Sequence, residues 1–280
     1  MKALIPVSEK ASVLVEALPY IQKYGGKVAV IKLGAYPLLP AKVRKSIMRD
    51  IVLLKYTGMH PVIVHGGGPG ITEEMEKRGK EAKFINGLRV TDAETARIVK
   101  KVFSGINKEI VKYLKLAGGK AKPAWGDKGL FKIKPKGRKF GFVGEVTKVS
   151  PKEVLSAVKK GRIPVVAPMG LGPKGKSYNI NADTAATKLA VALKAEKLTF
   201  MTSVEGFLEK GKLIPTLTVK QAKTKIKKGV AKAGMIPKLE AGIYAVNNGV
   251  KKAHLINGDK EHALLLEIYT DKGIGTEVVK

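Results

Sequence analysis

The sequence of 280 residues contains no cysteine and only four histidines. The lack of cysteine excludes disulfides, thiolate-bound metals and cysteine nucleophiles, and it favours a cytoplasmic location. No apolar run approaches the roughly 20 residues that span a bilayer. The N-terminal segment carries Glu9 and Glu16 within its apolar part and lacks a small-residue cleavage site, which indicates a helix rather than a signal peptide. None of the histidines shows metal-ligand spacing, so we expect no metal held by the protein itself: His60, His65, His254 and His262.

Acidic residues are also scarce. The chain has 23 Asp and Glu and 53 Lys and Arg, which gives a net charge of +30. Such a chain attracts polyanions. The lysines are nevertheless spread over the whole length, aromatic residues make up only 6%, and no base-stacking motif interleaves with the basic residues. A solvated basic surface, produced by engineering or by adaptation, is the favoured interpretation. We expect weak binding to nucleic acid that salt abolishes.

Helical and strand patterns alternate along the chain and predict an α/β fold. The prediction is a three-layer sandwich in which a mainly parallel sheet is covered by helices on both faces. A helix is expected over 8–25, and a long helix over 91–119 begins with Thr91 and Glu94 at capping-box spacing. Hairpins are expected over 120–149. The predicted division is an N-terminal helix (1–26), an N-lobe (27–176) and a C-lobe (177–280).

Two loops that follow predicted strands could bind phosphate or carboxylate. The segment His65-Gly66-Gly67-Gly68-Pro69 places three glycines between a strand and a helix, where backbone N–H groups can face an anion. The alternative interpretation of this segment is a tight turn that binds no ligand. Lys32 ends a buried strand beside Gly34 and can reach a phosphoryl oxygen. Its alternative is an ordinary solvated lysine.

Three further segments carry polar groups before helices. Asn179-Ile180-Asn181-Ala182-Asp183 offers two amides and a carboxylate, although Asp183 could simply be an N-cap. Lys238 lies in a predicted first helical turn, where the helix dipole disfavours a cation unless an anion binds there. Arg89 precedes a helix and could clamp a carboxylate, with a structural salt bridge as the alternative.

Taken together and in this order, these motifs resemble the acetylglutamate kinases of the amino acid kinase family. The resemblance runs from about Val13 to Thr276. Its distinctive segments are NGLRVTD (86–92) and YNINADTAA (178–186), supported by HGGGP (65–69) and GMIPK (234–238). A helix before the first strand is similar to that of the arginine-sensitive, hexameric subgroup. The resemblance implies the amino acid kinase fold and ATP-dependent phosphorylation of N-acetyl-L-glutamate in arginine biosynthesis.

The resemblance also implies a role for each site residue. Lys32 and Lys238 would neutralise charge on the transferring phosphoryl group, with Asp183 holding them. Magnesium would arrive with ATP, held mainly by the phosphates. The implied substrate-binding residues are Gly67, Gly68, Arg89, Asn179 and Asn181, and the implied ATP-binding residues are Gly34, Ser203, Gly206, Phe207, Leu208 and Gly234.

Several positions depart from the family pattern around the expected cleft. Ala35 stands where glycine is usual, Ser203 replaces an aspartate, and Trp125 places a large ring near the expected substrate side. Ala231-Lys232-Ala233 replaces a glycine-rich stretch. These departures leave open a second hypothesis, a catalytically impaired, highly basic scaffold on the same fold that serves assembly or binds polyanions.

The N-terminal helix suggests assembly and feedback control. Its apolar stripe must be buried somewhere, and the resembled subgroup implies a homo-hexamer, a trimer of dimers, formed by helix pairing. The residues of the stripe are Val13, Leu14, Ala17, Leu18 and Ile21. The same resemblance implies an L-arginine effector site at Tyr20, Lys197, Glu267 and Gly273.

Overall fold

In the computed structural model of the chain, residues 7–34, 36–232, 234–271 and 273–280 are described. Short hydrophobic runs form the strands: β1 (Val28–Leu33), β2 (His60–His65), β3 (Phe84–Ile85), β4 (Leu88–Arg89), β5 (Ala121–Trp125), β6 (Phe131–Pro135), β7 (Gly144–Val149), β8 (Ile163–Ala167), β9 (Met169–Leu171), β10 (Ser177–Asn179), β11 (Lys197–Thr202), β12 (Leu208–Glu209), β13 (Lys212–Leu213), β14 (Thr216–Thr218), β15 (Lys252–Asn257) and β16 (Thr276–Val279).

Longer segments of helical period form the helices, and none of those described is long and apolar enough to cross a membrane. They are α1 (Val7–Glu16), α2 (Leu18–Tyr24), α3 (Ala41–Tyr56), α4 (Gly68–Glu76), α5 (Ala93–Leu116), α6 (Lys152–Lys159), α7 (Ala182–Ala192), α8 (Val219–Lys227), α9 (Ile236–Asn247) and α10 (Ala263–Ile268).

Eight strands form the central sheet in the order β14-β16-β15-β11-β1-β2-β8-β5. All neighbours are parallel except β15 and β16. The chain first adds β2, β8 and β5 on one side of β1 and later adds β11 and β15 on the other. This reversal creates a switch point at the carboxyl end of β1, where open α/β sheets place their ligands.

Alternate residues of β1 enter two different cores, which confirms the three-layer prediction. Val30 packs into the cluster on one face of the sheet, which includes Leu189 and Leu239 of α7 and α9. Ile31 packs into the other, which includes Ile51 and Ile110 of α3 and α5. The two-residue period of a strand buried on both faces accounts for this division.

The region 120–149 differs in part from the expected hairpins. β6 and β7 pair antiparallel as predicted, in a small second sheet of order β10-β9-β6-β7. β5 instead joins the central sheet as its edge strand, parallel to β8.

Two details of the helix predictions were wrong. The helix expected over 8–25 is interrupted at Ala17, where α2 begins with Pro19 in its first turn. Proline suits a first turn because its missing N–H needs no partner there. The predicted capping box at Thr91 and Glu94 does not form, because the Asp92 carboxylate caps α5 by accepting from Thr95 N.

A buried carboxyl group on α3 makes stability depend on pH. Asp50 is 1% exposed, lies 2.7 Å from His262 Nδ1, and leaves Oδ2 without a partner among the described residues. Burial raises the pKa of Asp50 to about 6, although the hydrogen bond with His262 opposes the shift. Because the folded pKa is raised, the stabilising contribution of the protonated group is lost as pH rises from 3.8 to about 6.

Asp50→Asn should therefore raise the free energy of unfolding by about 1 to 3 kcal/mol at pH 8 and change it little near pH 4. Urea denaturation of both chains at both pH values measures the difference, with the exposed Asp259→Asn as the control. An equal effect at the two pH values would show that the charge of Asp50 is not its cause.

Candidate active site

The candidate site is a cavity of about 270 Å³ at the carboxyl ends of β1 and β2. Several predicted residues line it: Lys32, Gly34, Gly67, Gly68, Arg89, Asn179, Asn181 and Asp183. They come from β1 and the residue after it, the glycine loop, the β3–β4 hairpin, the end of β10 and the start of α7. Residues about 150 positions apart in the sequence therefore meet in one cleft.

A carboxylate bridges two lysines at the edge of this cavity. Lys32 Nζ lies 2.6 Å from Asp183 Oδ1, and Lys238 Nζ lies 3.3 Å from Oδ2. The first lysine ends β1, whereas the second lies in the first turn of α9. Three charged groups that were predicted to converge are thus in direct contact.

The charge state of Asp183 follows from its surroundings. Burial alone would raise the pKa of the carboxyl group, but the ammonium groups of Lys32 and Lys238 outweigh burial and hold its pKa below the ordinary value. The carboxylate therefore stays ionised between the two ammonium groups. One anion between two cations leaves the cluster with net positive charge, which favours a polyanionic ligand.

The cap of α7 explains why Asp183 is available for this role. The Asn181 side-chain oxygen caps the helix by accepting from Thr184 N at 3.0 Å. The alternative that Asp183 is the N-cap is therefore wrong. Asn181 also lines the cavity, but its oxygen is committed to the helix, which leaves its amide nitrogen to face a ligand.

The glycine loop brings backbone close to the cavity. A Cβ on Gly67 would lie 2.7 Å from the Phe103 ring, so a side chain does not fit at this position. Within the described part of the chain, the N–H groups of Gly67 and Gly68 have no hydrogen-bond partner. Two free donors at the start of α4 form an anion-binding arrangement.

Arg89 is a buried cation that lines the same cavity as the glycine loop. It is 7% exposed, and its Nη2 donates to Gly68 O at 2.9 Å and to Thr72 Oγ1 at 2.6 Å. The Phe84 ring lies 4.7 Å from the guanidinium carbon. Burial lowers the pKa of Arg89, yet a guanidinium remains charged at neutral pH. No described carboxylate pairs with Arg89, so the alternative of a structural salt bridge is absent from the described residues and the charge is available for a ligand.

Thr72 and Phe84 hold Arg89 and were not singled out from the sequence. Thr72 lies one helical turn after the glycine loop, and Phe84 lies opposite Arg89 in the β3–β4 hairpin. The Asn86-Gly87 turn of that hairpin is the signal that could have identified Phe84.

A second cavity, of about 380 Å³, lies on the other side of Lys238. Its lining is largely apolar, as in sites that hold a planar ring. It brings together most of the residues predicted to bind ATP, with Lys232 and Lys238 at its polar end: Ser203, Gly206, Phe207, Leu208 and Gly234.

Two predicted features of the cleft differ in the structure. Gly34 was predicted to bind ATP, but its N–H is not free for a phosphate, since it donates to Met201 O at 3.1 Å across the parallel pair β1 and β11. Trp125 was expected near the substrate, but it does not line the cavity and packs against the cluster of Ile71 and Phe103. Ala35, Ala233 and Lys272 lie outside the described residues.

The four predicted effector residues line a third cavity, of about 160 Å³, between α2 and α10. The Glu267 carboxylate pairs with His254 and accepts from Ile274 N at 2.8 Å. Gly273 has φ +58°, and a Cβ there would lie 2.8 Å from Glu267 Oε2. Tyr20 OH donates to Asp271, which raises the pKa of Tyr20 to about 12.

A buried histidine in this cavity was missed by the sequence analysis. His254 lies between Glu267 and Lys197, whose Nζ is 3.4 Å from His254 Nε2. Burial lowers the pKa of Lys197 to about 8 and also lowers the pKa of His254. A histidine inside an apolar strand was the available signal, because a buried polar side chain requires a partner.

In the part of the chain that the structure describes, no three His, Asp or Glu side chains group closely enough to hold a metal ion. Asp183, the acidic residue that lines the cleft, already forms ion pairs with Lys32 and Lys238.

The chain was compared with known proteins. The model of the amino acid kinase family matches residues 27–257. An acetylglutamate kinase of Pelotomaculum thermopropionicum is 48% identical over 290 residues, which cover 97% of this chain and 98% of that protein. One from Caldanaerobacter subterraneus is 50% identical over 279 residues, with 97% and 93% covered.

Among solved structures, an N-acetylglutamate synthase from Neisseria gonorrhoeae in complex with coenzyme A and N-acetyl-glutamate superimposes with a TM-score of 0.89. It is 24% identical, and the match covers 96% of this chain but only 63% of that one, so it supports the fold alone. A second structure of that synthase contains L-arginine (TM-score 0.84, 23% identity, 96% and 65% covered). The family model and the near full-length relatives show that this chain belongs to the amino acid kinase family, among its acetylglutamate kinases.

Proposed function

We propose that the protein transfers the γ-phosphoryl group of MgATP to the side-chain carboxylate of N-acetyl-L-glutamate. The products are ADP and N-acetyl-L-glutamyl 5-phosphate, an intermediate of arginine biosynthesis. The observation that carries the proposal is the contact of Lys32, Asp183 and Lys238 between two cavities. One cavity suits a small dicarboxylate and the other suits a nucleotide.

The acceptor lies in the first cavity in this proposal. The buried guanidinium of Arg89 binds its α-carboxylate, and the amide of Asn179 contacts a neighbouring polar group. The free N–H groups of Gly67 and Gly68 face the charged end of the substrate. A small site with fixed cations on both sides orients a dianion, and orientation lowers the barrier for attack.

The attacking group needs no general base, because a side-chain carboxylate is already ionised at neutral pH. Negative charge accumulates on the phosphoryl oxygens and on the leaving oxygen of ADP. Lys32 and Lys238 supply positive charge at the two ends, and Asp183 fixes the distance between them. Catalysis then consists of positioning and charge stabilisation, as expected for phosphoryl transfer.

The nucleotide occupies the second cavity, with its base against the apolar lining and its phosphates toward Lys238. Magnesium enters as part of MgATP and is held mainly by the phosphates. Of the proposed lobes, 27–176 supplies most of the acetylglutamate site, to which 177–280 adds Asn179, and 177–280 binds the nucleotide. A biosynthetic role of this kind places the enzyme in the cytoplasm.

A coupled assay of ADP release tests the proposal. The chain should release ADP with N-acetyl-L-glutamate, and much less with L-glutamate, L-aspartate or carbamate. Activity with another acceptor would assign it a different substrate. No release with any acceptor would favour the impaired scaffold, which the departures at Ala35, Trp125 and Ser203 suggested.

We further propose a hexamer with an arginine site. Several apolar residues of α1 and α2 are exposed, with Val13 at 59%, Leu14 at 74% and Leu18 at 47%. Pairing of these helices between dimers would bury them, and short-range apolar contact outweighs repulsion that is screened beyond about 8 Å. The third cavity, with the Glu267 carboxylate, suits a guanidinium.

Light scattering at moderate salt should therefore give six chains per particle, and Leu14→Glu should give dimers. L-arginine should inhibit the wild type but not Glu267→Gln, which removes the charge. A dimeric wild type would contradict the use of α1, and equal inhibition of both chains would place arginine elsewhere.

The basic surface is proposed to bind nucleic acid weakly, with an affinity that falls steeply with salt.

A further inference from the structure

Buried polar groups connect the middle of the sheet to the glycine loop. Asn107 of α5 is 2% exposed and His65 at the end of β2 is fully buried. Asn107 Nδ2 lies 2.8 Å from Val165 O and 3.3 Å from His65 Nε2, and His65 Nδ1 lies 3.0 Å from Gly66 O. The links join β8, α5, β2 and the loop that lines the acetylglutamate cavity.

The direction of each hydrogen bond in this series follows from the bond between Asn107 and the Val165 carbonyl. The Val165 carbonyl oxygen can only accept, so Asn107 presents its NH₂ group to it. The same NH₂ can only donate, so His65 Nε2 accepts. A neutral imidazole then carries its proton on Nδ1, and this N–H donates to Gly66 O.

This bond sets the orientation of one peptide group. In a planar trans peptide, the carbonyl of Gly66 and the N–H of Gly67 point in opposite directions. His65 holds the carbonyl on one side, which directs the Gly67 N–H away from the core. That N–H has no described partner, and Gly67 lines the cavity.

We infer that Asn107 and His65 are positioning residues, which fix the tautomer of the imidazole and thereby aim the Gly67 N–H at the anionic substrate. Neither side chain lines the cavity, so both act through the backbone of the loop. The inference rests on the proposed function only for the identity of that substrate.

The arrangement is insensitive to pH in the wild type. Burial lowers the pKa of His65 to about 4, against the contact with Gly66 O. Among the described residues, the hydrogen-bond and ring partners of the imidazole are the Asn107 amide, the Gly66 carbonyl and the edge-on Phe103 ring, and none of these three titrates. The single-proton tautomer therefore persists through the working range of the enzyme.

Two substitutions at Asn107 separate positioning from packing. Asn107→Leu removes the donor to His65, so the tautomer is no longer fixed, and KM for N-acetylglutamate should rise about tenfold while KM for ATP stays within about twofold. Asn107→Asp places a carboxylate beside Nε2. While His65 is doubly protonated, both ring nitrogens donate and KM stays near that of the wild type.

As pH rises and His65 in Asn107→Asp loses one proton, the carboxylate retains the proton on Nε2. Nδ1 then presents a lone pair to Gly66 O, and the peptide turns. KM for N-acetylglutamate of this variant should rise about tenfold between about pH 6 and pH 9, while that of the wild type stays flat.

Nitrogen-15 spectra of the imidazoles test the tautomer independently of activity, with His65→Gln used to assign the signal. The wild type should show the proton on Nδ1, and Asn107→Asp at high pH should show it on Nε2. Ile110→Ala, a buried change one turn further along α5, should lower the melting temperature without changing KM for N-acetylglutamate. The inference is overturned by an Nε2 proton in the wild type, by a pH-independent KM in Asn107→Asp, or by an Ile110→Ala variant whose KM rises as in Asn107→Leu.

Discussion

Lys238→Met should lower kcat by about a hundredfold to a thousandfold and change KM for N-acetylglutamate little. The substitution removes a positive charge 3.3 Å from Asp183, at the boundary of the two cavities. Charge stabilisation that operates mainly in the transition state appears in kcat rather than in KM. Methionine matches the lysine side chain as far as Cε and lacks only the ammonium group, so packing at the start of α9 is preserved.

Steady-state kinetics with both substrates measure this effect. The matched control is Lys228→Met, on an exposed lysine after α8, and it should leave kcat within about twofold of the wild type. If Lys238→Met raised KM for ATP and left kcat unchanged, Lys238 would only bind the nucleotide. Its assignment to phosphoryl transfer would then be wrong.

Arg89→Lys should raise KM for N-acetylglutamate by about a hundredfold, with a smaller effect on kcat. The guanidinium is buried, hydrogen-bonded to Gly68 O and Thr72 Oγ1, and contacts the Phe84 ring. A lysine cannot reproduce a planar two-pronged contact with a carboxylate, and loss of a desolvated charge pair is costly.

The same kinetic measurement on Arg97→Lys gives the control, because Arg97 is exposed on α5. This variant should behave as the wild type. An unchanged KM in Arg89→Lys would mean that the α-carboxylate is bound elsewhere, and that Arg89 serves to hold α4 through Gly68 and Thr72.

Much of the site could be predicted from the sequence because its residues follow strands. The glycine loop directly follows β2 and Lys32 lies at the carboxyl end of β1, and parallel strands bring their carboxyl ends to one edge of the sheet. Local periodicity was sufficient to locate those strands. The convergence of Asp183 and Lys238 came from the family resemblance, since no local pattern joins residues 55 positions apart.

The features that could not be predicted depend on neighbours in the tertiary structure, or on which of two nearby residues takes a given role. The Gly34 N–H is occupied because β11, formed about 165 residues later, is adjacent to β1. Asn181 and Asp183 are both good N-caps, and their spacing alone does not decide which one begins the helix. Trp125 ends β5, which pairs with β8 in the central sheet although this segment was predicted as part of a hairpin, and its side chain packs against the Ile71 and Phe103 cluster instead of lining the cavity.

Two carboxylate–histidine pairs, each with a buried carboxylate, are a further feature that the sequence did not indicate. Asp50 with His262 and Glu267 with His254 each join a carboxylate to a histidine on a different element. Burial and hydrogen-bond partners shift the pKa values of the Asp50 and Glu267 carboxyl groups, and both causes are properties of the folded chain.

Phosphorus NMR of a reaction containing the wild-type chain, MgATP and N-acetyl-L-glutamate tests the central claim most directly. The account predicts one acyl phosphate signal formed for each ADP, absent when Lys238→Met replaces the wild type over the same period. ADP accompanied only by inorganic phosphate, at a rate independent of N-acetyl-L-glutamate, would contradict the claim that this cleft transfers phosphate to a carboxylate.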